Sequence, residues 1–81
     1  MNKKVDENYI YYIFGQNLKK QRELKGLTQE QLANESTYNV GFIKNLESKK
    51  VHQTASMGTA YKFAQVLDIH ITKLFEDLED E

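Results

Sequence analysis

Only about three residues, Ser36-Thr37-Tyr38, separate two short amphipathic segments near the middle of this chain, and that brevity constrains the fold more than any other feature. The segment from Gln29 to about Glu35 puts Leu32 and Ala33 on one face. The next, opening at Asn39, puts Phe42, Ile43 and Leu46 toward the core. Two helices joined so tightly cannot choose their angle freely. A small residue must sit on the first where the second crosses it, and Ala33 occupies that place. Leu32, Ile43 and Leu46 supply the apolar contacts that fix the angle.

Local signals bound the remaining elements. From about Tyr9 to Lys25, Ile10, Phe14, Leu18 and, less regularly, Leu24 fall at helical spacing. Within Tyr9-Ile10-Tyr11-Tyr12-Ile13-Phe14, one face buries Ile10 and Phe14, leaving Tyr9 and Tyr12 partly outward. Gly26 stands where a helix ends in a left-handed residue, with Leu27 as the contact beyond it. Thr28 is an N-cap, and Gln31 three residues later completes a capping-box pattern. Asn39 is a second N-cap. A fourth helix, about Ala55 to Leu67, is expected to use Met57, Ala60, Tyr61, Ala64 and Leu67. A fifth, about Thr72 to Leu78, offers Leu74, Phe75 and Leu78. His70, after a helix end, reads as structural. The sum is a compact all-α, five-helix domain over residues 9–78, with a flexible N-terminal arm at 1–8 and an acidic tail end at 79–81.

Composition narrows the function classes. With 81 residues there is room for one modest core. The absence of proline and the presence of only four glycines leave the periodic segments unbroken. No cysteine is present, and His52 and His70 lie far apart without ligand spacing, so neither a disulfide nor a metal or other cofactor is expected. No apolar run reaches membrane-spanning length, and a cytoplasmic location is expected. The formal charge of −1 hides an asymmetry. All 11 lysines and arginines lie before Glu76, whereas the last six residues carry five acids. A mildly basic domain with an acidic end follows. No nucleophile–base spacing, phosphate-cradling glycine loop or paired carboxylates suggest an enzyme.

The run Leu24-Lys25-Gly26-Leu27-Thr28-Gln29-Glu30-Gln31-Leu32-Ala33, continued by Phe42-Ile43-Lys44-Asn45-Leu46-Glu47, resembles the lambda-repressor-like (Xre-type) helix-turn-helix DNA-binding family. The ending from Val66 to Phe75 is similar too, so the resemblance spans about Phe14 to Phe75. It implies a five-helix DNA-binding domain, usually dimeric and usually a transcriptional regulator.

Roles follow from matching positions. Thr28 and Gln29 match the start of the second helix, where a glutamine bonds a DNA phosphate. Free backbone N–H groups at a helix N-terminus suit that contact. Asn39, Val40, Gly41, Lys44 and Asn45 match the recognition-helix positions that face DNA. Asn45 suits two-point bonding to adenine, Lys44 suits guanine or phosphate, and Val40 a thymine methyl. Lys49, Lys50, His52 and Gln53 match a loop along the DNA backbone. Arg22 and Glu47 match a structural ion pair. Thr37 stands where the family usually has glycine, and Gly41 deprives the recognition helix of one long reader.

The leading expectation is therefore a repressor-like transcriptional regulator, a homodimer on an inverted-repeat operator in double-stranded DNA. Ile69, Ile71, Leu74, Phe75 and Leu78 are its candidate dimer contacts. Without a separate sensor domain, no small-molecule ligand is expected, and control by the protein's own concentration suits such a regulator. The competing expectation is a protein-interaction module, an antitoxin or adaptor, motivated by the tyrosine-rich first helix and the acidic end.

Overall fold

The structure, a computed structural model, describes residues 6–78. Residues 1–5 of the expected arm and the acidic tail end at 79–81 lie outside the described residues. Among the described residues four α-helices are formed: α1 Tyr9–Leu24, α2 Gln29–Ser36, α3 Val40–Glu47 and α4 Met57–Leu67, followed by a short 3-10 turn, Ile71–Leu74.

Each boundary has a local cause. Gly26, at φ 73°, ends α1. There the Leu27 N–H reaches the Arg22 carbonyl at 3.1 Å and the Gly26 N–H reaches that of Glu23 at 3.0 Å. This paired closure satisfies carbonyls that the helix end would otherwise orphan. Thr28 caps α2 through a complete capping box: its hydroxyl accepts from the Gln31 N–H, and the Gln31 side chain accepts from the Thr28 N–H. The Asn39 side chain caps α3 by accepting from the Gly41 N–H at 2.7 Å. Ser56 caps α4 through Thr59. Asp68, left-handed at φ 56°, closes α4 with the same pair of backbone bonds seen after α1.

The core gathers Phe14 and Leu18 of α1, Leu32 and Ala33 of α2, Ile43 and Leu46 of α3, Ala60, Phe63, Ala64 and Leu67 of α4, and Leu74. Several expectations change here. Phe63, fully buried, is the aromatic that α4 contributes, whereas Met57 is 73% and Tyr61 56% exposed. Ser56 as the cap starts α4 two residues later than expected. Ala60, Phe63, Ala64 and Leu67 form the inward stripe, packed through Phe63 against Phe14 and Tyr38, and Met57 and Tyr61 are left exposed. Ile10, at 43% exposed, lies on the rim of the core, and Leu24 projects into solvent.

The expected fifth helix is shorter and tighter. Its helical bonding ends at Phe75, whose backbone sits at φ −130°. Beyond it, the buried Asn17 of α1 donates its amide to the Glu76 carbonyl at 2.8 Å and to that of Ile13 at 3.1 Å. The C-terminal segment is thus tied to α1 rather than to its own helical ladder. Leu74 is fully buried in this chain's own core, so it is withdrawn from the candidate dimer contacts. His70 caps the turn, with its ring nitrogen 3.4 Å from the Thr72 N–H.

The connection between α2 and α3 does adopt the left-handed conformation at Thr37, φ 64°, ψ 13°. Tyr38 then pins the turn. Its hydroxyl bonds that of Thr59 at 3.1 Å, and its ring packs on Phe42 and Phe63 at centroid distances of 5.5 and 5.1 Å. A β-branched residue at positive φ costs about 1–2 kcal/mol. Glycine removes that strain but loses more freedom on folding. Thr37→Gly is therefore expected to stabilise the domain by about 0.5–1 kcal/mol, raising the thermal midpoint by about 4 °C. A calorimetric scan that shows no increase contradicts the strain assignment.

Candidate nucleic-acid interface

The position of α3 is set from beneath. Glu47, at its last turn, is almost wholly buried and accepts from Arg22 twice, at Nε and Nη2, both at 2.8 Å. Arg22 also donates to the Leu27 carbonyl at 2.6 Å. A two-point guanidinium–carboxylate pair fixes orientation as well as distance. The Glu47 hydrogen bond raises the Arg22 pKa above its ordinary value against the opposing effect of burial. The guanidinium is thus charged wherever the protein works. One Glu47 oxygen also accepts from the Gln29 amide at 2.9 Å, and the Gln16 amide donates to the Glu47 backbone carbonyl at 3.0 Å. The carboxylate therefore ties α1, the start of α2 and the end of α3 together.

With Ile43, Leu46 and Glu47 facing inward, helical geometry directs Gly41, Lys44 and Asn45 to the opposite face, whereas Val40, in the first turn, packs partly against the core. Lys44 and Asn45 are exposed, and Val40 and Gly41 are half-buried. Asn39 is exposed too, but its side-chain oxygen is occupied by the cap on Gly41. A Cβ at position 41 would lie 2.9 Å from that oxygen, so the glycine leaves room for the cap. At α2, Thr28 is exposed and its oxygen serves the capping box. Gln29 is half-buried, with its amide turned to Glu47.

The loop after α3 is organised by Ser48, whose hydroxyl accepts from the N–H groups of Lys50 and Val51 at 3.0 and 3.1 Å. Lys49, Lys50 and His52 are exposed. The His52 ring meets Tyr11 edge-on at 6.1 Å. Gln53 turns back to α3, where its oxygen lies 3.4 Å from the Asn45 amide nitrogen. Tyr11 and Tyr12 line one side of a groove of about 170 Å³ whose other side is Ser48 to Gln53. The sequence reading had no role for these tyrosines beside the loop, because the ring contact joins residues 41 positions apart.

The local charge is one-sided. From Ser36 to Leu67 the only acid is Glu47, which Arg22 neutralises, while Lys44, Lys49, Lys50 and Lys62 are present. Phosphate-facing surfaces need this balance. Among the described residues no group of three or more metal-ligating side chains comes together, and no helix is long and apolar enough to cross a membrane.

A helix-turn-helix family model matches residues 18–74. The restriction-modification controller protein C.AhdI from Aeromonas hydrophila is 34% identical in sequence and superposes with a TM-score of 0.72, covering 80% of this chain and 96% of its own. The chain belongs to the lambda-repressor-like, Xre-type helix-turn-helix family. A hypothetical transcription factor, NHTF from Neisseria, superposes with a TM-score of 0.78 over 99% of this chain and 88% of its own; at 20% identity it shows the shared fold. Comparison with curated proteins gives no match. In this helix-turn-helix protein α2 and α3 are the two helices of the motif.

Proposed function

We propose that this helix-turn-helix protein is a sequence-specific transcriptional regulator that binds double-stranded DNA as a homodimer and lays α3 in the major groove. The observation that carries the reading is the outward face of α3, Gly41, Lys44 and Asn45, held at a fixed tilt by the buried Arg22–Glu47 pair and flanked by Lys49 and Lys50. Val40, in the first turn, is the candidate for a thymine methyl. Gln29 and Thr28 contact a phosphate at the start of α2, where unpaired backbone N–H groups also point outward. Because the Gln29 amide already donates one N–H to Glu47, its second N–H serves the phosphate. Asn45 and Lys44 read base edges, and Lys49, Lys50 and His52 follow the backbone.

Two recognition helices on one face of DNA require half-site centres about 34 Å apart. Ile69, Ile71, Phe75 and Leu78, none fully buried, remain candidates for joining the protomers. The likeness to a restriction-modification controller supports control by the protein's own concentration. The exposed Met57 and Tyr61 favour a second reading in which a protein contact is the main role, as in an antitoxin or adaptor.

Titration of purified protein against operator-like and random duplexes at two salt concentrations separates the readings. Binding is expected to weaken steeply with salt, with a log–log slope of about −0.9 per phosphate contacted. Undetectable affinity for any duplex at low salt favours the protein-contact reading. Asn45→Ala is expected to reduce discrimination at one base pair per half-site by about 1–3 kcal/mol. Gln29→Ala is expected to weaken specific and random sites by similar factors. Equal losses on both kinds of DNA for Asn45→Ala contradict its base-reading role.

A further inference from the structure

We infer that Gln53 acts on base selection by fixing the orientation of the Asn45 amide, so that the recognition helix presents an adenine-specific edge. The inference rests on the DNA-binding reading and gives Gln53 a role other than backbone contact. A chain of three groups carries it. The Gln53 amide nitrogen donates to the Thr54 carbonyl at 3.0 Å, and the Gln53 oxygen accepts from the Asn45 amide nitrogen at 3.4 Å. A backbone carbonyl can only accept, so the nitrogen end of Gln53 must face Thr54. The oxygen end therefore faces α3, and Asn45 must answer with its nitrogen. Both amide orientations follow from one group whose role is unambiguous.

The consequence lies at the outer edge of Asn45. With one N–H committed to Gln53, the side chain offers the groove its Oδ1 acceptor and one remaining N–H. Adenine needs that combination, since its major-groove edge pairs the N6 donor with the N7 acceptor. An Asn45 turned the other way would spend its oxygen on the loop and offer two donors. Guanine, with acceptors at O6 and N7, would suit that edge better. The loop residue thus sets which purine Asn45 prefers, although it lies eight positions from the reader in sequence.

The test selects bound duplexes from a randomised pool with the full chain, then measures affinity on the selected site, on single-base variants and on random DNA. The wild type is expected to prefer adenine at one position per half-site. Gln53→Ala is expected to lower adenine-over-guanine discrimination there by at least about 5-fold, with random-DNA affinity and thermal midpoint unchanged. Gln53→Glu keeps an acceptor toward Asn45, so it retains the adenine preference while weakening binding to all duplexes through its charge near phosphates. Loss of the preference in Gln53→Glu overturns the inference. Equal weakening on selected and random DNA by Gln53→Ala, as from a lost phosphate contact, also overturns it, as does an unchanged preference. A wild type that binds no duplex at low salt instead overturns the DNA-binding reading, so the two failures are distinct.

Discussion

Replacing Glu47 by alanine is expected to destabilise the domain by about 3–5 kcal/mol. The side chains of Arg22 and Glu47 are only 8% and 2% exposed, so water cannot take over the role of the missing partner. The guanidinium would keep its bond to the Leu27 carbonyl and a 3.9 Å approach to Glu23, neither of which neutralises it at close range in the interior. Removing one member of a buried pair costs far more than the pair contributes over an apolar replacement, because the remaining charge is left unpaired. Against a total stability of about 5–15 kcal/mol for a domain of this kind, the loss is a large fraction. The double replacement Arg22→Met with Glu47→Leu removes both charges and is expected to recover most of it. Urea titration of the two variants checks both statements. A loss below about 1 kcal/mol in Glu47→Ala would show that the pair behaves as a solvated surface pair.

The same double variant separates scaffold from recognition. Its fold no longer depends on a buried charge, but the Gln29 amide has lost the carboxylate that aims it. Stability and the orientation of Gln29 are joined in the wild type because one Glu47 oxygen accepts from both Arg22 and Gln29. The sequence legibly predicted the ion pair through the family resemblance. It carried no sign of the third partner, since a glutamine at a helix start is ordinary and its direction depends on how α2 meets α3.

What could be read in advance was mainly local chemistry. The capping residues Thr28 and Asn39 and the left-handed Gly26 act through neighbours within a few positions, so their roles are encoded where they stand. Errors arose where a helix has apolar residues on more than one face. In α4 the order Met57, Ala60, Tyr61, Phe63, Ala64 admits two stripes about one residue apart, and only packing against Phe14 and Tyr38 selects the one with Phe63. At the C-terminal end, helical spacing through Leu78 competed with a long-range bond from Asn17, which prevailed. On the candidate interface, residue types and the family resemblance named the side chains proposed to meet DNA. The orientation of Asn45 depends on Gln53, and nothing about either residue alone declares the other.

Gly15 is the position where a long-range constraint is strongest and the sequence silent, and Gly15→Ala is expected to cost about 3 kcal/mol net. On propensity alone the change should help, since alanine is favoured over glycine inside a helix by about 1 kcal/mol. Packing reverses the sign. A Cβ on Gly15 would stand 1.7 Å from the Leu46 carbonyl oxygen and 2.8 Å from its carbon, where ordinary contact begins near 3.4 Å. The obstacle is backbone of α3, so no change of rotamer relieves it; α1 and α3 must move apart. Separation loosens the contacts of Phe14 and Leu18 with Ile43 and Leu46 at the centre of the core. It also strains the neighbouring bond from Gln16 to the Glu47 carbonyl. With α3 in the groove as proposed, the displacement should lower affinity for the selected operator more than for random duplex. Gly58→Ala supplies the opposite case in the same protein. Its new Cβ meets only the Ser56 hydroxyl, at 3.7 Å, within α4, so the helix-propensity gain should appear as a stabilisation of about 0.5–1 kcal/mol. Denaturant titration of both variants decides the matter. If Gly15→Ala is as stable as the wild type, α1 and α3 cannot be crossing at the distance described.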